Sequence, residues 1–181
     1  MSSQLEDKSK QLKQELKKLR SENNSLRNEN HELKQVINSI DANIYWKDTA
    51  GKVVGMNRSQ LNYLGLSDMN EAIGKRDTEL SVMKNTGLNL YKNDLKVIES
   101  NTSFIFEEKV LFEEREQTLL SQKSPIRDEN GKVLGIVGVS IDITQQKQLQ
   151  KKLEQKNKEL EEKNKKRSEA AEAIFDVLGK I

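Results

Sequence analysis

A leucine or isoleucine occupies every seventh position of the first forty residues. Residues at this spacing fall on one stripe of a helix and form the d positions of a heptad repeat. Most of the intervening side chains are charged or carry amides, so a single helix of this sequence has no core of its own. The repeat predicts a coiled coil that needs a partner helix. The d positions are Leu5, Leu12, Leu19, Leu26, Leu33 and Ile40.

The a positions of the same repeat indicate how the helices pair. Asn23 and Asn30 lie at a, where asparagine favours an asparagine partner in register, and leucine at d favours two strands. We therefore expect residues 1–40 to form a parallel homodimeric coiled coil. Its predicted seam contains Leu5, Leu12, Leu16, Leu19, Asn23, Leu26, Asn30, Leu33 and Ile37.

The composition fits a small domain between helical rods. Charged residues make up 33% of the chain and hydrophobic residues 34%, which is too polar for one core of 181 residues. No segment concentrates the basic charge that a nucleic-acid interface needs. A DNA-binding zipper also needs a basic region before its heptads, and only four residues precede Leu5. We expect no nucleic-acid partner.

The chain contains no cysteine, which excludes disulfides and thiolate chemistry. Its longest apolar stretch, residues 133–141, has about half the length that crosses a bilayer. The first residues also lack the apolar region of a signal peptide. We expect a cytoplasmic location and no membrane segment within this chain.

From residue 41 the helical period gives way to short apolar runs bounded by turn residues. Because tight turns join neighbouring strands, the pattern predicts a five-stranded antiparallel sheet with helices on one face, an α+β fold. Asn57 is expected to cap the helix after the first hairpin, and the longest helix of the domain is expected over 86–100. The predicted strands are 43–46, 52–56, 103–112, 117–126 and 132–141.

Heptads return after residue 144. Their predicted seam contains Leu153, Asn157, Leu160 and Asn164. A competing register places Leu149, Leu153, Lys156, Leu160 and Lys163 on the seam, and so buries two lysines. The register of this second coil stays open. A helix pair with two similar registers is also an element that a sensor can switch.

Short motifs in the middle segment resemble those of PAS sensor domains. The resemblance covers about residues 38–146 and implies a five-stranded antiparallel sheet whose helices enclose a pocket, in agreement with the order of elements above. We therefore divide the chain into an N-terminal coil (1–40), a PAS-like sensor domain (41–143) and a C-terminal signalling helix (144–181). The motifs are Ile44-Tyr45-Trp46-Lys47-Asp48, Gly51-Lys52-Val53-Val54, Leu64-Gly65-Leu66, Ile73-Gly74-Lys75, Pro125-Ile126-Arg127-Asp128, Gly135-Ile136-Val137-Gly138 and Asp142-Ile143-Thr144.

The same resemblance assigns signal transmission to Asp142, Ile143 and Thr144, which join the last strand to the output helix. We expect Thr144 to cap that helix and Asp142 to pair with a cation such as Lys47. With its flanking coils, the chain is similar to the sensory region of a bacterial histidine kinase. A kinase of a two-component system is the expected effector and a diguanylate cyclase the second candidate.

The resemblance also bears on cofactors. Haem-binding members use a histidine of the domain's long helix, but the one histidine here is His31 in the N-terminal coil, so haem is not expected. Photoactive flavin members use a cysteine, which the chain lacks. Non-covalent flavin or another small molecule stays open. The candidate pocket residues are Trp46, Asn57, Tyr63, Arg76 and Ser121.

Each pocket candidate also has a structural role open to it: Trp46 as core, Asn57 as helix cap and Arg76 as a surface or salt-bridged residue. No phosphate-binding loop, clustered metal ligands or nucleophile with a histidine partner occurs in the domain, so we expect no catalysis by this chain. Two rival functions remain: a dimerisation scaffold that senses nothing, and a flavin redox sensor.

Overall fold

The computed structural model describes residues 2–80, 86–112 and 115–178, with side chains from residue 7 to residue 171 within these ranges. Two long helices flank a domain of five strands. The elements are α1 (Ser2–Ser39), β1 (Asn43–Asp48), β2 (Val53–Met56), α2 (Arg58–Tyr63), two single-turn 3-10 helices (Met69–Glu71 and Asp77–Glu79), α3 (Gly87–Ser100), β3 (Phe104–Phe112), β4 (Arg115–Arg127), β5 (Val133–Asp142) and α4 (Thr144–Leu178).

The five strands form one sheet in the order β2-β1-β5-β4-β3, and every neighbouring pair is antiparallel. The central strands β1 and β5 pair so that Tyr45 lies opposite Gly138. On the next strand, Ser121 of β4 lies opposite Ser140 of β5. The predicted five-stranded antiparallel α+β fold is confirmed.

Both tight hairpins use the same turn chemistry. The Asp48 carboxylate accepts the amides of Ala50 and Lys52, each at 2.9 Å, before β2 begins. Asp128 repeats these bonds with Asn130 and Lys132 before β5. A glycine follows each aspartate by three residues, and both glycines have positive φ, +75° and +81°, which favours glycine over other residues. The shared pattern Asp-x-x-Gly-Lys explains why these turns were visible in the sequence.

The core lies between one face of the sheet and the helices of the domain. Tyr45 from β1, Val110 from β3 and Leu119 from β4 point to this side, and Leu90 of α3 packs over them. Each valine, leucine or methionine side chain buried here contributes roughly 1.5–3 kcal/mol to folding. The buried cluster contains Tyr45, Val53, Met56, Leu64, Ala72, Leu80, Leu90, Val110 and Leu119.

Asn57 joins α1, β1 and α2. Its Oδ1 accepts the backbone N–H of Gln60 at 3.0 Å and so caps α2 as expected. The same atom accepts the amide of Ile44, and Nδ2 donates to the carbonyls of Ile37 and Ala42 at 3.0 and 2.9 Å. This one side chain therefore ties the end of α1 to the first strand.

The long helices show apolar rows with nothing packed on them in the single chain. Six leucines at the predicted seam positions are each more than half exposed: Leu12, Leu19, Leu26, Leu33, Leu153 and Leu160. The side chain of Leu5 lies outside the described residues. Within the described ranges, no helix combines the length and the apolar character that crossing a membrane requires.

Candidate functional site

A small cavity lies between the inner face of the sheet and the helices. Its volume of about 30 Å³ holds about two water molecules. Ligand pockets commonly measure about 300–1,000 Å³, so a flavin does not fit in this conformation. The cavity is lined by Tyr45, Lys47, Val53, Met56, Gln60, Tyr63, Leu64, Asp77, Leu80, Leu90, Glu108, Leu119 and Ser140.

Two buried lysines form the polar side of this interior, and one carboxylate joins them. Asp94 of α3 is fully buried and accepts from Lys47 Nζ through Oδ2 at 2.8 Å and from Lys123 Nζ through Oδ1 at 2.7 Å. Lys47 also pairs with Asp77. Because Lys47 lies on β1 and Lys123 on β4, Asp94 ties α3 to two strands of the sheet.

The second lysine is completely satisfied. Besides Asp94, the Lys123 ammonium donates to Glu108 Oε1 at 2.8 Å and to the Leu90 carbonyl at 3.3 Å, so each of its three protons has an acceptor. Asn93 of α3 donates to the same Glu108 oxygen at 2.8 Å. Glu108 therefore links β3 to both β4 and α3.

The carboxylates keep both lysines charged. Burial acts to lower the pKa of Lys47, but Asp77 and Asp94 outweigh it and hold that pKa above its ordinary value. The pKa of Lys123 is raised as well, because Tyr45, Asp94 and Glu108 outweigh its burial. The network thus contains two ammonium groups and three carboxylates, Asp77, Asp94 and Glu108, which leaves a net charge of −1.

Among the five pocket residues expected from the sequence, the structure places Tyr63 on the cavity wall. Ser121 is buried one strand away, with its Oγ 2.9 Å from that of Ser140, which lines the cavity. Arg76 is exposed and its Nε donates to the Ala50 carbonyl at 2.9 Å. The roles of these residues in ligand binding stay predictions.

Trp46 and Asn57 lie elsewhere. They line a groove of about 480 Å³ between the end of α1 and strand β2. Trp46 points away from the internal cavity, and its ring covers Gly55, where a Cβ would lie 2.1 Å from the ring. The sheet register explains this placement, because side chains alternate between faces and Tyr45 and Lys47 take the inner face.

The buried charge network was missed from the sequence, and the expected pairing of Asp142 with Lys47 is wrong. Lys47 lies opposite Ile136, six residues before Asp142 on β5, which is about 20 Å along a strand. A signal for the network existed in the sequence, because Glu108 alternates on β3 with the partly buried Phe106 and the buried Val110. A charge at an inward-facing position implies a buried partner.

The predicted transmission segment makes a specific joint between the sheet and α4. Thr144 is the first residue of α4, and its hydroxyl accepts the backbone N–H of Thr118 on β4 at 2.8 Å. Ile143 N–H donates to the Thr118 carbonyl at 2.9 Å. The Asp142 carboxylate accepts the Thr144 amide at 2.8 Å. Thr144 therefore binds the sheet rather than capping the helix as expected.

Tyr63 connects the cavity wall to this joint. Its hydroxyl donates to Gln117 Oε1 at 2.7 Å, and Gln117 precedes Thr118 on β4. Burial, assisted by the Asp142 carboxylate, raises the pKa of Tyr63 to about 12. The Tyr63 ring also packs on Phe112 with 5.0 Å between centroids. Tyr63 therefore links α2 at the cavity wall to the strand that holds the start of α4.

This arrangement of sheet, internal cavity and projecting helix defines a class of regulatory sensing module. Residues 37–148, more than half of the chain, match the family model described as the PAS fold. The chain belongs to the PAS fold family. No curated protein matches the chain in sequence.

Solved structures show the same fold. VqmA from Vibrio cholerae is 21% identical with a TM-score of 0.58, over 64% of this chain and 52% of that one. The chain thus spans about half the length of VqmA. The PAS domain of Bordetella pertussis BvgS is 21% identical with a TM-score of 0.57, over 73% of this chain and 98% of that domain. An RNA-binding light-oxygen-voltage receptor is 16% identical with a TM-score of 0.58, over 71% and 36%.

Proposed function

We propose that this chain is a dimeric sensor module that relays a change at its internal cavity through α4 to an effector. The observation that carries the proposal is the path from the cavity wall to the output helix. Tyr63 lines the cavity and bonds to Gln117, and the neighbouring Thr118 holds Thr144 at the start of α4. Such a path transmits a signal when its parts have two arrangements of similar energy.

The proposed dimer rests on the leucine rows of α1 and α4. A long polar helix is marginal alone, and burying its leucine row against an identical helix supplies the missing apolar contacts. In this proposal residues 1–40 and 144–181 form parallel coiled coils on either side of the sensor domain, residues 41–143. The chain would be cytoplasmic.

The proposed effector is the catalytic part of a histidine kinase, with a diguanylate cyclase as the second candidate. The likeness to BvgS concerns its PAS domain alone and gives no support to a particular effector. VqmA is described as a dimer with a target DNA, so a DNA-binding effector is a further candidate output. In each case the parallel α4 pair would carry the signal.

A second candidate function is a dimerisation scaffold that senses nothing. The small volume of the cavity, about 30 Å³, favours it, because this conformation encloses little space for a ligand. Under this alternative the joint between β4 and α4 is static. The two functions therefore differ in whether a change at the cavity alters how the α4 helices pair.

Single cysteines in the chain, which has none of its own, can test this difference. Asn157→Cys reports the first register of α4, Leu149→Cys reports the competing register, and Gln155→Cys on the outer face is the control. We expect disulfide-linked dimers from the seam positions and few from Gln155→Cys. Tyr63→Phe should change the ratio of cross-linking at 149 to that at 157. An unchanged ratio would favour the scaffold.

A further inference from the structure

We propose that the internal cavity binds a small organic cation, an ammonium or amidinium compound, whose N–H groups donate to Asp77 and Glu108. This inference rests on the proposed function, in which the cavity is the sensor site. It concerns the chemical class of the ligand. The charges, the free acceptors and the unpaired polar groups of the cavity wall each point to that class.

The charge of the wall favours a cation. Among the described residues that line the cavity, Lys47 carries the positive charge and Asp77 and Glu108 carry the negative charges. Lys123 and Asp94, just behind the wall, compensate each other. A net negative charge in a buried site is costly unless a cation or a proton offsets it.

The free hydrogen-bond acceptors lie on the same two carboxylates. Asp94 uses one oxygen for each lysine. Asp77 accepts from Lys47 through Oδ2, and Glu108 accepts from Lys123 and Asn93 through Oε1. Within the described residues, the second oxygens of Asp77 and Glu108 accept no hydrogen bond, whereas Lys47 retains one N–H. The charged side chains of the wall thus offer two unused acceptor oxygens and one unused N–H donor.

Two further polar side chains face the cavity without a protein partner. Gln60 is 8% exposed, and its side-chain amide makes no hydrogen bond to any described residue. Tyr45 is 9% exposed, and its hydroxyl likewise lacks a partner within the described part of the chain. Among the described residues no fully buried side-chain N or O atom lacks a partner, so these two groups reach the surface of the cavity, where an occupant can bond to them.

The remaining walls set the size of this occupant. Val53, Met56 and Leu64 form an apolar part of the cavity wall and suit a short carbon group. The volume admits few non-hydrogen atoms before a wall must move. Methionine is the wall residue best able to adjust, because its side chain is unbranched and flexible. A compact ligand with one charged end matches these limits.

Three compounds of one shape and different charge test the proposal: acetamidinium, acetamide and acetate. Each is titrated into the full ¹⁵N-labelled chain, and backbone amide shifts are followed by NMR. We expect acetamidinium to shift the amides of Gln60, Leu90 and Leu119 to saturation. Acetamide and acetate should bind at least about tenfold more weakly, the loss expected when a charged hydrogen bond is missing.

Variants locate the site. Glu108→Gln keeps the shape but removes the charge, and should weaken acetamidinium binding at least about tenfold. Its matched control is Glu107→Gln, because Glu107 is the preceding residue, is 55% exposed and pairs with Lys147 away from the cavity. If Glu108→Gln fails to fold, Gln60→Leu tests the same site, since it removes the unpaired amide and breaks no ion pair. It should weaken binding by a similar factor.

Equal or tighter binding of acetate or acetamide would overturn the cation inference, and so would the absence of shifts with all three compounds. Water would then be the occupant of the cavity. The cross-linking ratio of residues 149 and 157 is a separate measurement. If that ratio changes in Tyr63→Phe while acetamidinium fails to bind, the proposed relay is supported and the proposed ligand class is wrong. If acetamidinium binds but the ratio does not change, the proposed relay is wrong.

Discussion

The Thr118 backbone amide donates a 2.8 Å hydrogen bond to the Thr144 hydroxyl, and the Thr118 carbonyl accepts the Ile143 amide at 2.9 Å. These two bonds join strand β4 to the first turn of α4. The first N–H groups of a helix have no partners within the helix, so its start is easily displaced unless neighbouring groups hold it. Here the sheet holds the start of α4 directly.

Thr144→Val tests the strength of this joint. Valine has the shape of threonine but no oxygen acceptor, so the Thr118 amide loses its partner. We expect the free energy of unfolding to fall by about 1 kcal/mol, and amide exchange in the first turn of α4 to become faster. Urea denaturation and hydrogen exchange measure these effects. The exposed control Thr102→Val should change stability by less than about 0.5 kcal/mol. Equal losses in both variants would contradict a structural role for the joint.

Asp94→Asn tests the buried charge network. The change removes the carboxylate that Lys47 and Lys123 share, so each ammonium loses one charged acceptor, while Lys47 keeps Asp77 and Lys123 keeps Glu108. We expect a loss of about 1.5–3 kcal/mol in the free energy of unfolding, measured by chemical denaturation, because two charged hydrogen bonds are weakened. Glu99→Gln on the same helix is exposed and serves as the control, with little expected change. A loss below about 1 kcal/mol for Asp94→Asn would show that the network is not a major source of stability.

The raised pKa of Tyr63 predicts that the folded chain loses stability at alkaline pH. Its pKa is raised from 10.0 to about 12 in the folded chain. A raised folded pKa means that the stability linked to this group is complete below pH 10.0 and is lost as the pH rises towards 12. We expect the melting temperature to fall over this window, and to fall less in Tyr63→Phe.

The tyrosinate absorbance gives a direct check of the same group. Tyr63→Phe should remove an ionisation step near pH 12 from the spectrophotometric titration. Tyr45, whose pKa burial also raises, should still ionise above its ordinary value in that variant. A titration unchanged by Tyr63→Phe would contradict the assignment.

Asn23→Leu combined with Asn30→Leu tests the proposed N-terminal seam. Two buried asparagines lower stability but select one register and one oligomeric state. Their replacement should raise the melting temperature of the coil while sedimentation shows a mixture of oligomers. Asn28→Leu, on the outer face, is the control and should keep the dimer. A lower melting temperature with an unchanged oligomeric state would contradict the seam.

Local patterns were sufficient for much of the fold. The turns at Asp48 and Asp128 depend on a carboxylate and a glycine within five residues, and Asn57 caps α2 through a bond to a residue three positions away. The spacing of Leu88, Tyr91, Leu95 and Ile98 also predicted a helix at α3. The structure buries a different face of that helix, which contains Leu90, Asp94 and Val97, and leaves Leu88 exposed. The turn and cap interactions can be read from a single sequence because their partners are close in the chain.

The residues that line the cavity and their ion pairs could not be predicted, because the partners lie far apart in the sequence. Lys47 meets Asp77 and Asp94, which follow it by 30 and 47 residues. Which lysine meets which carboxylate depends on strand register, and a shift of one residue would turn Lys47 and Lys123 to the outer face. The expected pair of Lys47 with Asp142 was wrong for this reason, and Trp46 lies on the outer face because its neighbours take the inner one.

The sequence by itself determined the two helical rods, the order of the strands and helices, the hairpin turns and the cap of α2, because periodicity and turn chemistry act over a few residues. Only the tertiary structure decided that Asp94 bridges two buried lysines, that Tyr63 reaches Gln117 beside the joint at Thr144, and that the internal cavity is small. Those relationships arise when α3 packs on the sheet, because a charge that is removed from water there is costly unless it is paired.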